Sequence, residues 1–287
     1  MRNISKSGIT NNMKTVGLLG LLGGGMVAIG SALGGSGGAT IAFVLALVVV
    51  GGSYWFSDTL AVKASGAKPV ESGQLEWLQN DLAELSQRAG IPVPRLFISP
   101  SPQPNAFATG RNERKAVVAV TVGLLEVLDR REVRGVVAHE LGHIKHKDIL
   151  IGSVAAAIAT GISYIANMAM WFGAFGGGDD EDRPNPIALL LISILAPIGA
   201  MIIQATISRA REYEADRAGG EISGDPTALA DALAKIEAYV KRVPMAVNPA
   251  QATAYIINPF TGRQVRFASL FQTHPPTDER IARLHAM

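Results

Sequence analysis

The chain has 287 residues, a net charge of +2 and no cysteine. That length holds one or two domains. The near-balanced charge argues against nucleic acid as a partner, and the missing cysteine excludes disulfides and thiolate catalysis, leaving His and carboxylate for any metal.

Mean hydropathy is +0.25, high for a soluble protein, and the charge is missing in blocks. No ionisable Asp, Glu, Lys, Arg or His falls in 15–57, 149–178 or 184–208. Crossing a bilayer takes about 20 apolar residues. The blocks predict four transmembrane helices, near Val16–Leu33, Ala39–Phe56, Leu150–Phe172 and Pro186–Ile207. The basic lead-in "MRNISKSGITNNMK" has the look of a signal peptide, but no small-x-small cleavage site follows and a second span comes at once. An uncleaved anchor fits better.

Lys and Arg set the orientation. With the N-terminus inside, the two outer loops are "GGSGG" and "GGGDDEDRPN", which leaves all but one of the 26 basic residues in the cytoplasm. The organisation expected is a basic tail and membrane hairpin over 1–57, a first catalytic segment over 58–149, a second hairpin over 150–208 and a second catalytic segment over 209–287. Both termini would be cytoplasmic, at a cell (inner) membrane.

In the first polar segment, "LEWLQNDLAELSQRAG" reads as an amphipathic helix stopping at Gly90. "PRLFIS", "NAFAT" and "KAVVAVTVG" read as short strands between Pro, Gly and Asn signals. "TVGLLEVL" opens a helix, and "DRREVRGVVAHELGHIKH" is another, with Asp129 and Glu132 in capping-box spacing. After the second hairpin, "SRAREYEADRAGG" continues helical to about Gly219, "DPTALADALAKIEAYVKRV" is a further helix and "TDERIARLHAM" the last, with Thr277 as its cap. The fold class expected is mainly α with a small β-sheet (α+β), in an integral membrane protein.

The chemistry concentrates in HELGH. Residues four apart share one helix face, so His139 and His143 reach one ion, and Glu140 beside them can contact a water. Val133, Val137, Leu141 and Ile144 fall on the opposite, packed face. Imidazole and carboxylate suit zinc with one position left for water. The ion acidifies that water and Glu140 takes the proton. His146 would put three ligands in one stripe, which surrounds a tetrahedral ion poorly. The better third ligand is in "SRAREYEAD", which leaves the fourth span where HELGH enters the third. Glu212 and Asp216 are four apart on one face, so Glu212 can bind the metal while Asp216 orients a neighbouring group.

HELGH, a membrane hairpin and then SRAREYEAD resemble the HtpX-type membrane zinc metalloproteases, relatives of the prenyl-protein (CaaX) proteases of eukaryotes. The resemblance covers nearly the whole chain. It implies a gluzincin-like cytoplasmic domain with one Zn2+ held by His139, His143 and Glu212, Glu140 as general base, and Asp216 in support. Glu214 is not expected to bind metal. "PNAFATG" is similar to the family's strand beside the cleft, with Asn105 contacting substrate backbone. "HPPTDER" is similar to its C-terminal motif, with His274 stabilising an oxyanion or orienting substrate and Arg280 bracing the site through carboxylates. The implied activity is endoproteolysis of misfolded or damaged membrane proteins at the bilayer surface, tied to stress and quality control. Its partners would be protein substrates and the lipid bilayer.

Two other readings remain at this level. A zinc-bound membrane scaffold without turnover would not require Glu140. A small transporter would want charges inside the membrane, and the four spans have none. The segment "NPAQATAYIINPFTGRQVRFASLF" maps onto no catalytic part and is expected to be a flap or a substrate-selecting surface.

Overall fold

The structure is a computed structural model that describes residues 6–150, 209–243, 256 and 275–287; within the first helix the backbone is described throughout but only some side chains. Helix α1, Lys6–Trp55, is one helical element where the sequence suggested two spans. The glycine-rich segment 34–38, expected as a turn between spans, lies within that element. Gly35 has φ +58, a left-handed conformation that interrupts the right-handed repeat and that glycine alone adopts freely. Over the residues with described side chains, no helix is long and apolar enough to cross a membrane. The spans read after Leu150 lie outside the described residues.

A short helix, α2 (Ser57–Ala64), leads to strand β1 (Lys68–Pro69). Helix α3 (Glu76–Ala89) follows and ends at Gly90, whose φ of +72 lets the chain leave the helix. Strands β2 (Arg95–Ser99), β3 (Ala106–Thr109) and β4 (Val117–Thr121) come next. The sheet order is β1-β2-β4-β3. β2 and β4 run parallel, while β1 and β3 are antiparallel to their neighbours. The three longer strands sit where the alternation placed them, but β3 lies at an edge.

Helix α4 (Val122–Val127) starts from Thr121, whose hydroxyl accepts from Leu124 N–H. Helix α5 (Arg130–Lys145) has the expected capping box: Asp129 takes Glu132 N–H and Glu132 takes Asp129 N–H. After residue 208 come α6 (Arg209–Ser223), α7 (Pro226–Arg242, capped by Asp225) and α8 (Thr277–His285). α6 runs four residues past Gly219. Pro276, not Thr277, occupies the N-cap of α8, and no side chain caps it.

The core gathers α3, the inner sheet face and helices α5–α7. Val133, Val137, Leu141 and Ile144 are all buried in it, as the stripe required. Two glycines bring α5 and α6 into backbone contact. A β-carbon on Gly219 would stand 2.9 Å from both Cα and N of His139, and one on Gly142 would stand 3.1 Å from the Ala215 carbonyl oxygen. Gly135, on another face of α5, approaches Leu229 N of α7 as closely. α5 is also tied to α3, since buried Asp81 accepts from both Arg130 and Arg134.

Candidate metal centre

The close crossing of α5 and α6 sets the site. His139 and His143 project from one face of α5, their rings 4.8 Å apart and nearly perpendicular. Glu212 comes from the first turn of α6. Its Oε1 lies 3.6 Å from His143 Nε2 and its Oε2 lies 3.9 Å from His139 Nε2. One donor atom from each of the three lies within 4.8 Å of the others, and among the described residues this is the group that could hold a metal ion. Glu214 is exposed on the other side of α6. His146, at the C-cap of α5, is outside the group.

The donor set fits a divalent ion. Tetrahedral bonds of about 2.0–2.1 Å put ligand atoms about 3.3 Å apart, close to the two separations above. The electrostatics agree. Burial alone would lower the His143 pKa, but the carboxylates of Asp148, Glu212 and Glu140 outweigh it and hold it at about 9. A cluster this rich in negative charge favours a cation at its centre.

The carboxylate behind His139 is Asp216, one turn along α6 from Glu212. Its Oδ1 stands 3.0 Å from His139 Nδ1, at hydrogen-bond length though off the line of the ring N–H. Asp216 is in turn held by Arg280, which is only 1% exposed. Arg280 Nε donates to Oδ2 at 2.9 Å and Nη2 to Oδ1 at 2.7 Å. Its Nη2 also lies 3.9 Å from Glu212 Oε2. Burial pushes the Asp216 carboxyl upward, but Arg280 and His139 overcome this and keep it at about 2.

Glu140 is 5% exposed. Burial raises its pKa against the lowering pull of His139 and His143, and the backbone N–H of Ala108 bonds its carboxylate. That contact follows from the register. Thr121 N–H donates to Asn105 C=O, so by antiparallel alternation Phe107 and Thr109 face β4 with their hydrogen-bonding groups while Ala106 and Ala108 direct theirs outward. Among the described residues no strand pairs with that edge of β3, which runs beside Glu140. His139 and Glu140 are buried, while the His143 and Glu212 side chains are 17% and 13% exposed.

Asn105 lies at the entry to β3, buried, and its Oδ1 accepts from Ile256 N–H at 3.0 Å. The Ile256 carbonyl accepts from Arg280 Nη1 at 2.8 Å. One residue of the unassigned C-terminal segment is thus pinned between the strand and the arginine, with its side chain in the core. His274 lies outside the described residues.

Two residues near the site were not anticipated. Asp148, just past α5, has Oδ2 3.2 Å from His143 Nδ1. Arg211 is 8% exposed, and among the described residues its Nη1 has no hydrogen-bond partner. Burial lowers its pKa against the pull of Asp148 and Glu212. An Asp beside HELGH and an Arg beside Glu212 were visible as letters, but neither spacing says which way they turn.

Two imidazoles four apart on a helix, a glutamate between them in sequence and a third carboxylate from a crossing helix define an HExxH metallopeptidase. Peptidase family M48 matches residues 72–287. The chain is 48% identical to a Protease HtpX homolog of Desulfatibacillum aliphaticivorans over 96% of its own length and 89% of that protein's. It is 46% identical to one of Pelotomaculum thermopropionicum (96% and 99%) and 49% identical to one of Syntrophotalea carbinolica (96% and 99%). Its fold resembles the crystal structure of S. mikatae Ste24p, with TM-score 0.50 and 19% identity over 98% of this chain and 66% of that one. This chain belongs to peptidase family M48: it is a metalloprotease whose substrates are proteins.

Proposed function

We propose that this enzyme is a membrane-anchored zinc endopeptidase that cuts misfolded or damaged membrane proteins at the cytoplasmic face, in protein quality control under stress. The observation that carries the chemistry is the meeting of His139, His143 and Glu212 beside Glu140 and the outer edge of β3. The membrane reading rests on the charge-free blocks and on Ile41, Phe43, Val44, Leu45, Leu47 and Val48, large apolar side chains that α1 leaves more than half exposed. Such a surface suits hydrocarbon rather than water. Farther along, Arg111 sits 4.5 Å over the Trp55 ring and donates to its carbonyl, fastening the loop after β3 to the end of α1.

His139, His143 and Glu212 would hold the zinc, each histidine presenting Nε2. When bound, zinc supplies Lewis acidity, which polarises a carbonyl and makes water a better nucleophile at neutral pH. The substrate backbone lies along β3 as an added strand, which brings a peptide carbonyl to Glu140. Glu140 takes the proton of the attacking water and passes it to the leaving amine. Its raised pKa suits a group that must both accept and give a proton near neutrality. Asp216 and Arg280 hold His139 in place, Asn105 anchors the strand's entry through Ile256, and His274 serves as a donor to the developing oxyanion.

The test is cleavage of an unfolded membrane-protein substrate by zinc-loaded protein in detergent, beside Glu140→Gln. Wild type should cut, and the variant should bind zinc with activity reduced by about 10³-fold or more. If neither cuts while both bind one zinc, the chain is a scaffold; equal cutting by both removes Glu140 as the base.

A further inference from the structure

His139 and His143 are the two imidazoles of one metal group, and each has a carboxylate at Nδ1. The one behind His139 comes from α6. The one behind His143 comes from α5's own ending. Lys147 takes φ +61, a left-handed conformation unusual for a residue with a β-carbon. Around it the chain closes a Schellman turn, with Lys147 N–H donating to Ile144 C=O and Asp148 N–H to His143 C=O. The turn folds Asp148 back along the helix, so its backbone holds the His143 carbonyl while its Oδ2 lies 3.2 Å from Nδ1 of the same residue. Asp148 is 7% exposed. A lysine in a glycine's conformation at a helix end is strained, and here the strain sits one residue from a carboxylate that the turn aims at a metal-group ring.

We propose that Asp148 is the positioning residue of His143: the strained turn at Lys147 delivers its carboxylate to Nδ1, which fixes the ring's orientation and tautomer so that Nε2 faces Glu212. A neutral imidazole carries one proton, and holding it at Nδ1 leaves the Nε2 lone pair for the ion. The inference rests on the metal-group reading of His139, His143 and Glu212. The competing explanation is that Asp148 only caps the helix that begins at Ile149.

Substitution separates the two roles. Asn caps as well as Asp, and Ser nearly so, but Asn is a weaker acceptor toward the ring and Ser is too short to reach it. The full chain in detergent is titrated with Zn2+ against a chromogenic chelator, and the Co2+-loaded forms are compared by absorption. Zinc affinity should fall in the order wild type, Asp148→Asn, Asp148→Ser, by about threefold and then about 10–100-fold in all. The Co2+ spectrum should shift in the serine variant while the melting temperature of the metal-free protein stays near wild type. Equal zinc affinity in all three overturns the proposal. If the serine variant does not fold, wild-type affinity in Asp148→Asn overturns it alone. His139→Ala with undiminished zinc affinity sinks the underlying metal-group reading instead, so the two failures are distinct.

Discussion

Arg280 grips Asp216 edge-on through two hydrogen bonds of 2.9 and 2.7 Å, with both residues buried. Removing one member of such a pair leaves an uncompensated charge in the interior. Arg280→Leu should cost about 3–5 kcal/mol of stability. In the metal-free protein Asp216 sits at about 2 against an ordinary 3.8. A depressed carboxylate contributes stability that is whole above the ordinary value and is lost as pH falls through the folded one. Loss of Arg280 removes that contribution, so the gap between wild type and variant should narrow as pH falls from about 4 towards about 2. Denaturant unfolding across that range is the check, and a gap independent of pH counts against the pair.

Metal uptake should release a proton from His143. Its carboxylate neighbours, working against burial, hold the metal-free ring at about 9, and a ligand nitrogen cannot keep its proton. Zinc affinity should therefore fall about tenfold for each pH unit below that value and level off above it. Chelator competition at several pH values, or proton release in a weakly buffered titration, reads the slope. A flat profile through neutral pH would mean that His143 is already neutral without metal.

Gly219 touches the backbone of His139 across the α5–α6 crossing, and backbone atoms cannot turn aside. Gly219→Ala should cost about 1–3 kcal/mol from overpacking. It should also spread the helices and weaken zinc binding, because Glu212 travels with α6. Gly135→Ala makes an equally tight contact, with Leu229 of α7, and should destabilise the fold while leaving the folded protein's zinc affinity near wild type. Paired melting and chelator titrations compare the two.

Ala108 directs its N–H away from β4 and towards Glu140. Proline is tolerated at an edge-strand position whose N–H leaves the sheet, so Ala108→Pro should fold. Without that donor to its charged form the Glu140 pKa rises further, and a base must be deprotonated to act. The acid limb of the kcat/KM profile should move to higher pH, and KM should rise if substrate pairs with β3. An unmoved acid limb would show that the Ala108 contact does not reach the working form of Glu140.

The features legible along the chain are local. Helical periodicity placed His139 and His143 on one face and the core stripe on another, because both follow from 3.6 residues per turn. Asp129 and Glu132 announced the start of α5, and Gly90 the end of α3, because caps are decided within four residues. Strand alternation found β2, β3 and β4 but not β1, whose two residues are too few to alternate.

The remaining features depend on packing between distant segments. Glu212, singled out in the sequence as a third ligand, meets the histidines because Gly142 and Gly219 let two helices far apart in the chain touch. β3 borders Glu140 because of the order in which the sheet assembles, which no single strand encodes. Asn105, assigned to substrate backbone on resemblance, has its side-chain oxygen on Ile256, and Arg280 holds the other side of that residue. Asp148 could not be placed from its letter, because a lysine in a left-handed turn has no sequence signature. Caps and faces are fixed by neighbours along the chain, whereas a buried charge finds its partner wherever packing excludes water, and that is a property of the whole fold.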